Sequence, residues 1–162
     1  ATAFAAAVAT ENASAYLPQA GDIMQLGAST TVHILSPSGD TSDWQSNNAS
    51  VVMKIQYGDI GFLLSGDAPS SIEDYLVTTY GSSLESEVLK LGHHGSKTST
   101  SEAWLDAVTP QYAIVSAAVG NRYGHPHQDV MQRVFARNIP SSHTGLDGTV
   151  TFETDGKTVW QK

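Results

Sequence analysis

The 162 residues carry 8 Lys and Arg against 16 Asp and Glu, and the resulting formal charge of −8 disfavours broad electrostatic binding to nucleic acid or to an anionic membrane surface. Apolar residues make up 40% and charged residues 15% of the chain, a balance that fits a folded domain rather than a disordered tail or a coiled coil. The chain has no cysteine, which excludes disulfides, thiolate metal sites and cysteine nucleophiles, and no apolar run approaches the roughly 18 residues that a membrane span needs.

Residues 1–15 are Ala-rich and read as a short helix. No initiator Met and no basic region precede them, so they do not read as an intact signal peptide, and the chain is expected to start inside a longer protein. The β-branched run TVHILS, 31–36, predicts a strand, and residues 37–48, rich in Ser, Asp, Asn and Gly, predict a loop. SVVMKIQY (50–57), a turn at Gly58 and Asp59, and IGFLLS (60–65) predict a hairpin. A helix follows over 70–80, with Ser70 or Ser71 as its cap and Glu73 and Asp74 in its first turn. EVLKLG (87–92) predicts a strand, and 101–108 a helix stopped before Pro110. The continuous apolar run QYAIVSAAV (111–119) predicts a buried strand. After a polar loop at 120–127, residues 128–138 predict an amphipathic helix with Val130, Val134 and Phe135 on one side. GTVTFET, a turn at Asp155 and Gly156, and KTVWQ close the chain as a hairpin. Strands alternate with helices through the middle, so the class is α/β or α+β with a mixed sheet and flanking helices, and residues 1–162 form a single unit without a linker.

Four of the six histidines fall in two clusters, each just after a predicted strand, where open α/β sheets place their ligand sites. In LGHHGSKTS (91–99), Gly92 and Gly95 allow close backbone approach around His93 and His94. Adjacent side chains on an extended chain point to opposite sides, so only one of the two histidines faces a given metal unless the loop twists. The choice is between a solvated turn and a metal ligand with a supporting imidazole. In SGDA (65–68), Asp67 is either an ordinary Gly-Asp turn or a metal-bridging carboxylate, and it meets the histidine pair if the two preceding strands are neighbours. In GNRYGHPHQD (120–129), Asn121, Arg122 and His125 are either a polar helix entry or donors to a substrate. Asn47 or Asn48 caps its own loop, His33 is a packed or edge histidine, and His143 receives no role. The chain lacks G-x-S-x-G, G-x-x-x-x-G-K-[ST], G-x-G-x-x-G and H-E-x-x-H, which removes a hydrolase serine elbow, a phosphate-cradling P-loop, a dinucleotide fingerprint and a zincin helix.

The segments GFLLSGDA, VLKLGHHGSKTSTSEAWLDAVTPQYAIVSAAVGNRYGHP and GTVTFETDGK together resemble the metallo-β-lactamase-type domain of ComEC-like DNA-uptake (competence) proteins and their stand-alone hydrolase relatives. The likeness runs from about Asn47 to about Lys157, and GDIMQLG…ILSP resembles the middle of the same domain. The resemblance implies an αββα sandwich and a hydrolase in which water activated by two divalent metals, zinc or manganese, attacks a phosphodiester or an ester. It implies metal ligation by Asp67 and by one of His93 and His94, catalytic roles for Asp67, His94 and His125, and substrate contacts from Ser96, Asn121 and Arg122. Asn47, Asn48 and Ser50 match a motif with a mainly structural role.

The chain departs from that family in one large respect. The H-x-H-x-D-H motif of the first half of the domain is absent, and no histidine has an Asp-His pair close by. The chain therefore resembles the second half of the sandwich alone, a single partial domain over residues 1–162. Zinc sites use at least three protein ligands, so the isolated chain is expected to be inactive by itself. The expected function is a metal-dependent hydrolase of phosphodiesterase or nuclease type, with DNA as a candidate substrate. The alternatives are a degenerate structural or binding domain of a larger envelope or DNA-uptake protein, and a lactonase or esterase. A half-sandwich should expose an apolar patch, or pair either with a copy of itself or with the missing N-terminal half. The resemblance points to an extracellular or periplasmic location.

Overall fold

The computed structural model describes residues 2–14 and 16–162. Residues 1 and 15, the two ends of the Ala-rich opening, lie outside the described residues; between them α1 (Thr2–Thr10) is a helix whose Phe4 is exposed.

Seven strands form one sheet in chain order: β1 (Ile23–Leu26), β2 (Thr30–Ser36), β3 (Val52–Tyr57), β4 (Ile60–Leu64), β5 (Val88–Lys90), β6 (Tyr112–Val115) and β7 (Ser141–His143). The first four pair antiparallel, β1 with β2 and β3 with β4 through short turns and β2 with β3 across the loop 37–51. From β4 onward the pairing is parallel, and each step needs a helical crossover: α2 (Ser70–Tyr80), α3 (Glu102–Val108) and α4 (Gln128–Ala136). A four-residue α5 (Thr144–Asp147) and a separate hairpin, β8 (Phe152–Thr154) with β9 (Val159–Gln161), complete the chain. The protein is thus a mixed α/β fold with a seven-stranded mixed sheet flanked by helices, as its pattern of apolar runs predicts.

The two faces of the sheet are both apolar, because period-two alternation runs through strands rich in Val, Ile and Leu. One face, with Leu63, Leu89, Ala113 and Val115, packs against Leu76 of α2, Trp104, Leu105 and Val108 of α3, and Val130 and Val134 of α4. The other face, with Ile60, Phe62, Val88 and Ile114, meets Phe152 and Val159 of the terminal hairpin. At the open edge of the sheet, β1 leaves Ile23, Met24 and Leu26 exposed.

Several expectations need correction. β1 and β7 are absent from the sequence reading: β1 is exposed along its whole length, and β7 is a polar Ser-Ser-His held by the parallel register that α4 delivers. The run 111–119 is extended only over Tyr112–Val115, since its partner β5 ends at Lys90 and the chain then turns. Phe135 does not join Val130 and Val134 but lies exposed, on the outer side of α4. Neither Ser70 nor Ser71 caps α2: the preceding position is Pro69, which makes no side-chain cap, and the Ser70 N–H donates across to Thr98 O at 2.7 Å. The cap of α3 is Ser101, whose Oγ accepts from Trp104 N.

Glu73 also serves α3 rather than its own helix. The side chain is wholly buried, and its two oxygens accept from Thr100 N at 2.5 Å and Ser101 N at 2.8 Å. Burial pushes its pKa up, against the downward pull of those two backbone donors. Arg133 of α4 reaches the same turn, donating to the Ser99 and Thr100 carbonyls. One carboxylate and one guanidinium therefore tie α2, α3 and α4 to the end of the loop that carries His93 and His94. Removing the carboxylate leaves one buried N–H group, of Thr100, and one half-buried, of Ser101, without an acceptor, a buried one costing about 1–3 kcal/mol. Glu73→Ala should then lose about 3 kcal/mol of stability and roughly 6–12 °C in Tm, at about 2–4 °C per kcal/mol for a domain of this size. A thermal melt followed by circular dichroism reads this directly; an unchanged Tm would show that the two donors are satisfied without Glu73.

Candidate functional site at the carboxyl ends of the parallel strands

Because β4 to β7 run parallel, the loops that leave their carboxyl ends meet on one side of the sheet. The loop after β4 carries Asp67, that after β5 carries His93 and His94, that after β6 carries Asn121 to His127, and β7 leads into Thr144 and Gly145.

Asp67 is set by its backbone. Gly66 has φ +55°, and a Cβ there would stand 2.9 Å from the Val51 carbonyl oxygen and 3.2 Å from Ser50 Cβ, so only glycine lets the turn press against the strand before it. The Asp67 N–H donates to Ser50 Oγ at 3.2 Å, and the Gly66 carbonyl accepts from His93 N at 2.9 Å. The NNAS segment thus contributes a hydrogen bond to the Asp67 turn, while the Asn47 carbonyl accepts from Ser50 N.

The histidine loop twists away from an extended backbone. His93 (φ 46°, ψ 45°) and His94 (φ 59°, ψ 21°) are both left-handed, a conformation that non-glycine residues adopt at a cost of about 1–2 kcal/mol each. Hydrogen bonds hold the loop there: Ser96 N to His93 O at 2.9 Å, Ser99 Oγ to Gly92 O at 2.8 Å, and His127 N to Gly95 O at 2.9 Å. His94 Nδ1 lies 2.6 Å from the Ser116 carbonyl, which can only accept, so Nδ1 bears a proton and Nε2 is the nitrogen left to face outward from the loop. That Nε2 is 3.6 Å from Asp67 Oδ1. His94, rather than His93, is therefore the imidazole aimed at Asp67. The Nδ1 of His93 instead faces Thr98 Oγ1 at 3.5 Å.

His125 sits among the other rings, its centroid 5.5 Å from His93, 6.2 Å from His94, 5.0 Å from His127 and 5.7 Å from Tyr123. Desolvation first, then the neighbouring His127, His93 and His94, push its pKa down, and Asp67 pulls the other way. His127 is tied into the fold, accepting from Lys97 N through Nδ1 at 3.1 Å. Lys90, at the end of β5, has its ammonium pushed down by burial and donates to the Leu91 carbonyl at 3.1 Å. A cleft of about 540 Å³ opens beside these groups, bordered by His94, Ser116, Asn121, Tyr123, His125 and Thr144.

The remaining site residues lie as follows. Arg122 is exposed, its guanidinium over the ring of Tyr123, which borders the cleft, at 4.7 Å. Asn121 turns its amide into its own loop: Nδ2 donates to Ala118 O (2.8 Å) and His125 O (2.5 Å), and Oδ1 accepts from Tyr123 N (3.2 Å) and His125 N (3.1 Å). Ser96 is buried and bonded to Thr98 Oγ1 at 3.0 Å. His33 lies mid-strand, opposite Ile23 and Lys54, and His143 caps α5 by accepting from Gly145 N at 3.0 Å. Sequence reasoning missed the Ser116 carbonyl, Glu73 and Tyr123. Only Glu73 left a trace, as a carboxylate beside the Ile72, Leu76, Val77 and Tyr80 stripe of α2.

No family model matches the chain. It is 41% identical over 118 residues to "Competence protein ComA" of Neisseria gonorrhoeae, across 73% of this chain and 17% of that protein. It is 35% identical over 132 residues to "ComE operon protein 3" of Bacillus subtilis, across 82% of this chain and 17% of that protein. With "Recombination protein 2" of Haemophilus influenzae it shares 38% identity over 117 residues, across 72% and 14% of the two chains. The chain resembles one segment of competence-related proteins. It spans no more than about 17% of the length of these relatives. Among the described residues, no helix is long and apolar enough to cross a membrane.

Desolvation, and after it the neighbouring imidazoles, lowers the proton affinity of His125 and makes stability depend on pH. His125 binds its proton less readily folded than unfolded, so stability should be highest above the ordinary histidine range and fall as the pH drops from there to the lowered folded value. In an NMR titration of the histidine ring protons, His125 should titrate below the ordinary histidine range, and His127→Asn should move it upward. A His125 midpoint at or above the ordinary value would refute this account of the cluster.

Proposed function

We propose that this chain carries one side of a divalent-metal hydrolase site acting on phosphodiesters, and that it serves DNA uptake within a longer protein. The observation that carries the reading is the approach of His94 Nε2 to Asp67 Oδ1, 3.6 Å apart where the ends of β4, β5 and β6 meet. Donor atoms about 2.0–2.2 Å from a zinc ion stand roughly 3.3–3.6 Å apart at tetrahedral angles, so the pair's spacing matches two neighbouring ligand positions. A carboxylate with an imidazole suits zinc or manganese. No cluster of three or more His, Asp or Glu able to hold a metal occurs among the described residues, so the reading assigns the other ligands to polypeptide beyond these 162 residues. That arrangement agrees with a likeness to one segment of much longer competence-related proteins, and with the second half of an αββα metallo-β-lactamase-type sandwich.

When bound, two divalent metals would supply an activated water and polarise the phosphoryl oxygen. The chain's own residues do the rest. Asp67 and His94 hold their share of the metal shell, and Ser116 fixes the His94 tautomer. His125, its proton affinity lowered by its surroundings, faces the cleft as a group able to take or give a proton. Arg122 offers a guanidinium to substrate oxygens. Asn121 and Ser96 act through the loops that they brace. On this reading the protein works outside the cytoplasm, in the periplasm or at the cell exterior. The rival reading, a non-catalytic binding domain, is favoured by the size of the donor set, since the chain's own pair falls short of the three ligands that a zinc site uses.

The test joins this chain to the segment that precedes it in the natural protein and measures bound metal and cleavage of bis(p-nitrophenyl) phosphate. The joined protein should bind two metals. Losing a hydrogen-bonded supporter of a metal ligand already costs about 10–100-fold, so Asp67→Ala and His94→Ala should each lower kcat by at least roughly 100-fold and release metal, with unchanged circular dichroism. Full activity in either variant would overturn the site; two metals bound without activity would favour the binding domain.

A further inference from the structure

We infer that Tyr123 and Arg122 form a nucleobase-and-phosphate subsite beside Asp67 and His94, so that the cleft selects phosphodiesters that carry a base. The inference rests on the phosphodiester reading above and names its substrate class.

Four observations carry it. Tyr123 is 59% exposed, yet it sits on a loop whose backbone is braced by all four hydrogen bonds of the Asn121 amide. A large aromatic ring held in water by a fixed loop contributes nothing to the core and is available to a ligand. The ring also borders the same cleft as His94 and His125, so whatever occupies the cleft touches it. The His125 ring lies at 19° to His94 and 21° to Tyr123, so it stands roughly face to face with a ring on each side, from the Asp67 side to the exposed ring. Finally, the Arg122 guanidinium covers Tyr123 at 4.7 Å and donates to its hydroxyl.

These features suit a nucleotide better than a plain phosphate ester. A cleft of about 540 Å³ lies within the range of small-molecule sites, which run from about 300 to 1,000 Å³. Every base has a flat π-face, and stacking on an exposed tyrosine is stronger than the exposed cation–π contact that Arg122 makes there. A base can therefore displace the guanidinium from the ring and leave it free to meet a phosphate oxygen. In a chain of net charge −8, with Asp67 close by, such a local cation is what an anionic substrate requires.

The test titrates the 162-residue chain, without metal, with dAMP and separately with deoxyribose 5-phosphate, following backbone amide shifts. Leaving metal out separates this test from the one above: loss of hydrolysis in Asp67→Ala can succeed or fail whatever happens here. We expect dAMP to perturb residues 121–127 and to bind at least roughly tenfold more tightly than deoxyribose 5-phosphate. Tyr123→Ala should weaken dAMP about tenfold, Tyr123→Phe should stay within about twofold, and Arg122→Ala should weaken both probes. An oligodeoxythymidylate then separates the sources of the shared chemistry: tighter, salt-dependent binding than dAMP marks a nucleic-acid strand, and equal binding marks a free nucleotide. Equal affinity for dAMP and deoxyribose 5-phosphate, no shift within 121–127, or an unchanged Kd in Tyr123→Ala would each overturn the inference.

Discussion

The parallel register of β4, β5 and β6 is the constraint on which the rest of the molecule depends. Leu64 pairs with Lys90, and Lys90 with Ile114. The three chains therefore leave the sheet side by side, and Asp67, His94 and Ser116 follow within a few residues of those pairs. An antiparallel step anywhere between β4 and β6 would send one of these loops to the opposite end. Parallel pairing demands crossovers, and the apolar faces of α2, α3 and α4 are what hold them against the sheet. The hydrophobic core thus decides which polar groups meet.

What the core brings together, it does not by itself hold in shape. His93, His94 and Thr100 all have positive φ, an expensive conformation for residues with a Cβ. The loop offsets that cost with bonds from every side: Gly66 below, Ser99 within, Ser70 and Glu73 from α2, His127 and Arg133 from the last crossover. Gly95 adds a steric condition, since a Cβ there would come 2.6 Å from Pro126 Cβ, so the histidine loop and the 120–127 loop can lie together only because that residue is glycine. Strain concentrated in a loop and braced by buried bonds is what a preorganised site requires. The same bonds explain why several polar residues near the cleft, Ser96 and Asn121 among them, face the protein rather than the solvent.

How much of this was legible follows from the range of each signal. β2, β3 and β4 and the terminal hairpin carry alternation and Asp-Gly or Gly-Asp turns within a few residues, and these local cues survive in the structure. The gathering of Asp67 with the histidine pair could be stated only conditionally, because it depends on two strands 20-odd residues apart becoming neighbours. β7 is polar and short, and no local rule marks it. Glu73 looked like a first-turn acid of α2, although its partners, Thr100 and Ser101, lie far along the chain. The choice between His93 and His94 could not be read from the sequence at all: it is made by left-handed backbone angles and by a carbonyl at the end of β6. Tyr123 passed unnoticed because a single aromatic residue in a polar loop has no periodicity to betray its exposure.

The division of labour between the two histidine loops follows from these constraints. The 92–95 turn is locked into the sheet, and it offers one nitrogen, His94 Nε2, whose direction is fixed before any ligand arrives. The 120–127 loop is braced internally by Asn121 and carries exposed groups, Arg122 and Tyr123, that are free to exchange partners. His125 stands between the two, its proton affinity lowered first by desolvation and then by the imidazoles around it. A rigid donor pair, an imidazole of lowered proton affinity and an adaptable cation–aromatic pair therefore succeed one another along a single cleft. That order arises from strand register rather than from any single motif.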